Sequence, residues 1–336
     1  MRLWLTRISW AYLASVSVYG LLIWGLGDRW WPATILLYLG RWVLLLPAIA
    51  LVPATIAVRR MLLLPIALAA CVAAIPVAGF RIPVLALIPR PAGTHIRLVT
   101  FNVDGGAFLA DHLPVLLEEW KADIVTMQEC GEDLSAAAAK LADWHVHTVR
   151  QLCFLSRFPI AATAVMDRSV LERVNESETA GIGGSGDVAR YTVQLPSGPV
   201  SITNLHLETP RKGLESILDG AFNLERLKGN TELRAIESRL ARRWVDAGTA
   251  PTLVAGDFNT PVESTIFQDS WGDLTDAFSR VGFGFGLTKQ NGWISARIDH
   301  VLAGSGWYAE RATVGKSVGS DHLPLVVDLT LAPQKP

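Results

Sequence analysis

Three long apolar runs near the start of the chain constrain it more than any other feature. Residues 8–26 carry no charge, residues 33–58 are interrupted only by Arg41, and residues 61–80 are again uncharged. A helix crosses a bilayer in about 20 apolar residues, whereas a surface helix of a globular domain keeps one polar face. The three runs are therefore read as membrane-spanning helices. For the first run a cleaved secretory signal is the competing reading, because Arg2 and Arg7 precede it. Two further runs, and the lack of an evident small-residue cleavage site, weigh against it.

Charge then orients the spans. Arg2 and Arg7 precede the first, and Arg59 and Arg60 separate the second from the third. Basic residues of short loops stay cytoplasmic. With both groups there, residues 27–32 form an external loop with Trp30 and Trp31 as interface anchors, and three crossings deliver the rest of the chain outside. Arg41 would snorkel to the outer interface if the second span begins near Trp42.

Bulk composition hides a division into two materials. Up to Pro91 the only acidic residue is Asp28. Of the 30 Lys+Arg, 8 fall in this first segment, and of the 31 Asp+Glu, 1 does; the 22 and 30 that remain give the rest a formal charge of −8. Nucleic-acid binding normally uses a basic surface that releases counterions, so nucleic acid is the less favoured partner. Cys71, Cys130 and Cys153 show neither a disulfide framework nor a zinc spacing, which leaves a Cys130–Cys153 bridge open. The fall in hydrophobicity after Pro91 divides the chain into a membrane anchor, 1–91, and a second domain, 92–336.

In the second part short β-like runs alternate with helical ones. Strands are expected at 96–103, 123–127, 152–155, 160–165, 188–194, 200–207, 252–255, 298–302 and 323–329, with helices at about 111–120 and 231–245. Polar residues recur at the ends of these strands: Asn102 in LVTFNVDGG, Gln128 and Glu129 in DIVTMQE, and His206 in ITNLHLETP. Asp257 and Asn259 follow in LVAGDFNTP, Asp299 in ARIDHVL, and Asp321 with His322 in GSDHLPL. Side chains at converging strand ends can share one pocket.

This ordered set, spanning about residues 97–331, resembles the endonuclease/exonuclease/phosphatase superfamily. The resemblance implies a DNase-like, four-layer α-β-β-α sandwich, here preceded by three transmembrane helices. It also implies a phosphoesterase using Mg²⁺ or Mn²⁺. Oxygen ligands suit such a cation, with Glu129 as the main ligand and Asn102 and Asp321 completing or orienting its shell. His322 beside Asp299 is the general-base pair. Asp257 and Asn259 position the attacking water and a phosphate oxygen, and His206 donates to the phosphate as charge builds.

Weaker candidates are Arg190 as a phosphate contact, and Arg211 and Lys212 as binders of a second phosphate, each balanced by a solvated-surface reading. The glycine-rich stretch 181–187 lacks the Lys-Ser/Thr of a phosphate loop and reads as a surface loop. The segment 281–293 is expected to form a rim with Lys289 and Trp293. His300 receives no role, and His95, His112, His145 and His147 read as surface or packing residues.

Three functions fit these residues. The first is hydrolysis of a membrane-lipid or lipid-linked phosphate. A three-span anchor ahead of this domain resembles the bacterial VanJ-like group associated with teicoplanin resistance, which implies envelope lipid phosphates such as a polyprenyl pyrophosphate. The second is an anchored extracytoplasmic nuclease. The third is a non-catalytic receptor, disfavoured because a binding protein needs no full set of base, water-positioning and metal residues.

Overall fold

The computed structural model describes residues 2–88, 91–169, 171, 186–218, 223–248, 250–291 and 294–333. Three helices, Arg2–Arg29, Arg41–Val58 and Arg60–Val77, are long and apolar enough to cross a membrane. Leu21, Ile49, Met61 and Leu64 lie exposed on their outer faces, as apolar side chains do when lipid rather than water is the solvent. Near their first ends Arg59 Nη1 donates to Thr6 Oγ1 (3.3 Å), and near the other end Trp24 Nε1 donates to the Pro76 carbonyl (2.8 Å). The first and third helices thus run parallel. The loop between the first and second, and the chain beyond the third, emerge at one end; Arg2, Arg7, Arg59 and Arg60 sit toward the other.

The second apolar run is not one span. Pro32 in the first turn of a separate helix, Trp31–Tyr38, and the break at Leu39–Gly40 divide it, so that the membrane-length helix begins only at Arg41. Arg41 does not snorkel into solvent. It is buried against Glu263 at 3.0 Å, with 6% and 2% of the two side chains exposed.

The remaining strands, in chain order, are β1 (Thr94–Gly105), β2 (Ile124–Cys130), β3 (His145–Val149), β4 (Leu152–Ser156), β5 (Ile160–Val165), β6 (Asp187–Leu195) and β7 (Gly198–His206). They continue as β8 (Thr252–Asp257), β9 (Thr275–Asp276), β10 (Lys289–Asn291), β11 (Ile294–Ala296), β12 (Asp299–Ala303), β13 (Trp307–Val314) and β14 (Leu325–Leu331). One sheet has the order β13-β14-β1-β2-β4-β3 and the other β5-β6-β7-β8-β12-β9, while β10 and β11 form a separate hairpin.

Alternation along the strands builds the layers. Ile96 and Leu98 of β1, Ile124 of β2, Ile202 of β7, Leu253 of β8 and Val301 of β12 face inward into a core between the sheets, which also holds the stacked rings of Phe154 and Tyr191. Val99, Phe101, Val125 and Met127 face outward onto the helices Leu113–Trp120 and Glu132–Ala138. Leu205, Val254 and Leu302 face the opposite way onto the helices Leu224–Asp246 and Thr265–Trp271. The result is the four-layer α-β-β-α sandwich.

β3 and β13 were not anticipated from sequence; β3 is short and half-exposed. The helix expected at 231–245 begins earlier, because the Asn223 side chain accepts from Arg226 N (3.0 Å) and caps it. Cys130 and Cys153, on β2 and β4, form a disulfide across a sequence separation of 23.

Two stability effects follow. Arg41→Ala strands the buried Glu263 carboxylate, so unfolding in detergent should show a loss of about 3–5 kcal/mol; a change below about 1 kcal/mol would mean the pair is not buried. Replacing both Cys130 and Cys153 by Ala opens a loop whose closure is worth about 3 kcal/mol, read as a lowered melting temperature. An unchanged melting temperature would show that the bond does not form.

Candidate active site

The inward-facing positions that carry apolar side chains in mid-strand carry polar ones at one end of the sandwich. On β1 the inward series 96, 98, 100 ends at Asn102, and on β2 the series 124, 126 ends at Gln128. In the second sheet a single row crosses four strands: Asp187 of β6 pairs with His206 of β7, His206 with Asp257 of β8, and Asp257 with Asp299 of β12. Strand register alone thus gathers a histidine and three carboxylates, and the Asp187 end of the row is closed by Arg150 and Arg168.

Glu129 should face away from this row by alternation, since Gln128 points inward to donate to Asn204 Oδ1 at 2.7 Å. A left-handed backbone at Glu129, φ 54°, breaks the alternation and brings its carboxylate to the cavity. Such a conformation costs a non-glycine residue about 1–3 kcal/mol and persists only where surroundings enforce it. Gly256 has a related reason: at φ 146° a Cβ would lie 1.9 Å from the Leu205 carbonyl on the neighbouring strand, so this position of GDFN admits only glycine.

Between the sheets the side chains interlock. Asn102 Nδ2 donates to Glu129 Oε1 and to Asp257 Oδ2, both at 3.0 Å, while its Oδ1 accepts from Asp104 N (3.1 Å). His206 Nε2 lies 3.6 Å from Glu129 Oε1 and 3.8 Å from Asp257 Oδ2. Asp257 Oδ1 accepts from Asn259 N (2.8 Å), and Asn259 Nδ2 donates to the Leu207 carbonyl (2.7 Å). His322 Nδ1 bonds Asp299 Oδ2 at 2.8 Å, leaving Nε2 3.7 Å from Asp257 Oδ2. Asp321 pairs with Lys289 and lies 3.9 Å from His322 Nε2.

Burial sharpens this cluster. Burial and the neighbouring Asp299 charge push the Asp257 carboxyl above the usual carboxylate range. Asp299 is lowered: burial opposes ionisation, but the His322 charge and hydrogen bond outweigh it. Burial would lower the His322 imidazole, yet the Asp299 and Asp257 carboxylates overcome it and raise it to about 9.

A cavity of about 430 Å³ opens over these groups, lined among others by Glu129, His206, Asp257, Asn259, His322 and Lys289. Arg211 and Lys212 line it too, at the start of the helix Arg211–Leu218. Arg190 does not reach it. Its guanidinium lies over the Trp244 ring (4.6 Å) and Nη1 donates to the Trp244 carbonyl (3.1 Å), on the far side of the second sheet; the phosphate contact expected of Arg190 is corrected accordingly. Trp293 and residues 181–185 of the glycine-rich stretch lie outside the described residues. His300 is buried between Asp276 (3.0 Å) and the Thr260 carbonyl (2.9 Å), a packing role. Sequence reasoning missed Tyr38, which comes from the anchor to line the cavity.

The donor set suits a hard divalent cation. Glu129 offers carboxylate oxygens at the cavity, 37% exposed, Asp321 stands beside the lining residues Lys289 and His322, and Asp257, Asp299 and His322 offer ligand atoms within 4.8 Å of one another. The last group is already knit by the Asp299–His322 hydrogen bond. The Asn102 amide nitrogen is turned toward two carboxylates of this set.

The sequence model of the Endonuclease/Exonuclease/phosphatase family matches residues 99–322. The chain belongs to that family. Among solved structures, a family member from Bacteroides thetaiotaomicron superposes with a TM-score of 0.53 at 14% identity, covering 74% of this chain and 100% of its own. The mannosyl-6-phosphatase of the same organism gives 0.51 at 17% identity, with 70% and 99% covered. D. rerio TDP2 complexed with a single-strand DNA product gives 0.52 at 13% identity, with 70% and 99% covered. At these identities the likeness shows the fold. No curated protein matches the chain.

The raised imidazole sets a pH signature in metal-free protein. Its folded value, about 9, exceeds the unfolded value, about 6.5. The stability it contributes is therefore present below about 6.5 and lost as pH rises through 9, about 3 kcal/mol in all. Unfolding free energy measured in chelator from pH 6 to 10 should fall accordingly, and His322→Gln should flatten the fall; an equal slope in the variant would contradict it.

Proposed function

We propose that this protein is a membrane-anchored hydrolase of a lipid or lipid-linked phosphate, with its catalytic domain on the extracytoplasmic side. The observation that carries the reading is the composition of the cavity wall. Besides the carboxylates, the wall includes Tyr38, Pro210, Leu214 and Ile298. Leu214 also packs on the cluster of Ile23, Leu37 and Val77 contributed by the anchor. The apolar side of the cavity is therefore continuous with the membrane helices, while Arg211, Lys212 and Lys289 line it as cations. Such a cavity suits an amphiphile whose phosphate enters while its chain stays with the anchor.

Sidedness is supported by two features. The arginines at 2, 7, 59 and 60 lie at the end of the spans away from the catalytic domain. A disulfide between Cys130 and Cys153 belongs to oxidising compartments.

In the proposed reaction Asp257 and Asn259 hold the attacking water. His322, fixed in tautomer by Asp299 through Nδ1, takes its proton at Nε2. His206 donates to a non-bridging phosphate oxygen, and Lys212 and Arg211 receive a second phosphate where the substrate has one. Glu129, with Asp321 and Asn102 alongside, would hold Mg²⁺ or Mn²⁺, which would supply charge neutralisation at the phosphate oxygens and the surrounding carboxylates. A polyprenyl pyrophosphate of the kind implied by the VanJ-like resemblance fits this arrangement.

Full-length protein in detergent with Mg²⁺ should release phosphate from a long-chain polyprenyl pyrophosphate and leave supercoiled plasmid intact. Glu129→Ala should abolish the release, and His322→Ala should slow it about 10²- to 10⁴-fold. Nicked plasmid without phosphate release would contradict the lipid reading and make the protein an anchored nuclease.

A further inference from the structure

The anchor reaches the catalytic loop at Asn259 through Tyr38. Tyr38 ends the helix Trp31–Tyr38, is buried, and lines the active-site cavity. Its hydroxyl donates to the Asn259 carbonyl at 3.2 Å and accepts from Arg234 Nη2. The same Nη2 lies 3.3 Å from the Asn259 carbonyl. Arg234 Nη1 reaches Asp28 Oδ1 at 3.4 Å, and Asp28 Oδ2 accepts from Ser264 Oγ. The carbonyl of one catalytic-loop residue is thus held by a tyrosine of the anchor and an arginine of the helix Leu224–Asp246, and the only carboxylate of the anchor faces that arginine.

Asn259 needs such holding. Its backbone is left-handed, φ 51°, a region that non-glycine residues keep only when neighbours enforce it. Its N–H is engaged by Asp257 and its side-chain amide by the Leu207 carbonyl. The remaining backbone group, the carbonyl, is the one Tyr38 and Arg234 fix. That carbonyl fixes ψ of Asn259, and with it the left-handed backbone from which the N–H reaches the Asp257 carboxylate.

We propose that Tyr38 is a positioning residue for phosphate-ester hydrolysis, acting through Asn259, so that the anchor completes the catalytic centre rather than only tethering it. The proposal rests on the phosphoesterase reading of the cavity but not on a lipid substrate. It differs from simple docking, for which the same junction holds a control. Arg29 bonds Asp269 at 2.8 Å on the exposed rim and makes no contact with Asn259.

The test uses the full-length chain in detergent with Mn²⁺ and bis(4-nitrophenyl) phosphate, a soluble diester that needs no membrane. Tyr38→Phe keeps the ring and removes the hydroxyl; kcat should fall about 10- to 100-fold with KM nearly unchanged. Arg29→Ala should leave kcat within about twofold. Hydrogen exchange at residues 257–260 should quicken in Tyr38→Phe and not in Arg29→Ala, a readout independent of turnover. Unchanged exchange in Tyr38→Phe, or a Tyr38→Phe kcat within about twofold of wild type, would overturn the proposal. Wild-type protein inert toward the diester would count against the phosphoesterase reading, and the exchange result would still decide for or against Tyr38.

Discussion

A guanidinium removed from water must be neutralised where it lies, at a cost of several kcal/mol if it is not. Arg234, 2% exposed, meets that requirement with Asp28 and Tyr38, which lie about two hundred residues away in the anchor. Arg41 and Glu263 repeat the arrangement in reverse, the cation now on the anchor and the anion on the domain. The two pairs therefore bind the anchor to the helix Leu224–Asp246 and to Glu263, just beyond Asp257 and Asn259. Phe80, at the exit of the third helix, packs edge-on against Phe283 and Phe285, and Arg81 exchanges backbone hydrogen bonds with Gly284. The entry to the catalytic domain is fastened at the same junction.

On this footing the site is assembled by register. The same alternation that packs Leu98, Ile202 and Leu253 between the sheets carries Asn102, His206, Asp257 and Asp299 to one end of the core. Electrostatics then divides their roles. Two buried carboxylates cannot both ionise freely beside one another, so Asp299, bonded to His322, keeps its charge while Asp257 is pushed up.

Much of this was legible in the chain because it was local. Motifs such as GDFN and SDH place their residues at strand ends, and strand ends converge. The four-layer fold followed from the same ordered set. What the sequence could not show was partner choice across long separations. Asp28 and Arg41 stood out as lone charges in apolar surroundings, but nothing near them named Arg234 or Glu263. Tyr38 looked like one more apolar residue of a long run, and only Pro32 and Gly40 hinted that the run was divided. Arg190 shared the parity of no site residue: its neighbours Ala189 and Tyr191 face the inter-sheet core, so it points to the helix layer and Trp244. Glu129 was found by motif although alternation would have hidden it, because its left-handed backbone has no reliable sequence mark.

The central claim is that the catalytic cavity draws its phosphate from the plane of the anchor's own lipid surface. Surface-dilution kinetics test it most directly: phosphate release from a polyprenyl pyrophosphate in mixed micelles, with bulk concentration and mole fraction varied separately. The account predicts that the rate follows mole fraction at fixed bulk concentration. A rate that follows bulk concentration and ignores dilution in the micelle surface would contradict it, placing the substrate in water and leaving the anchor's apolar wall without a part in capture.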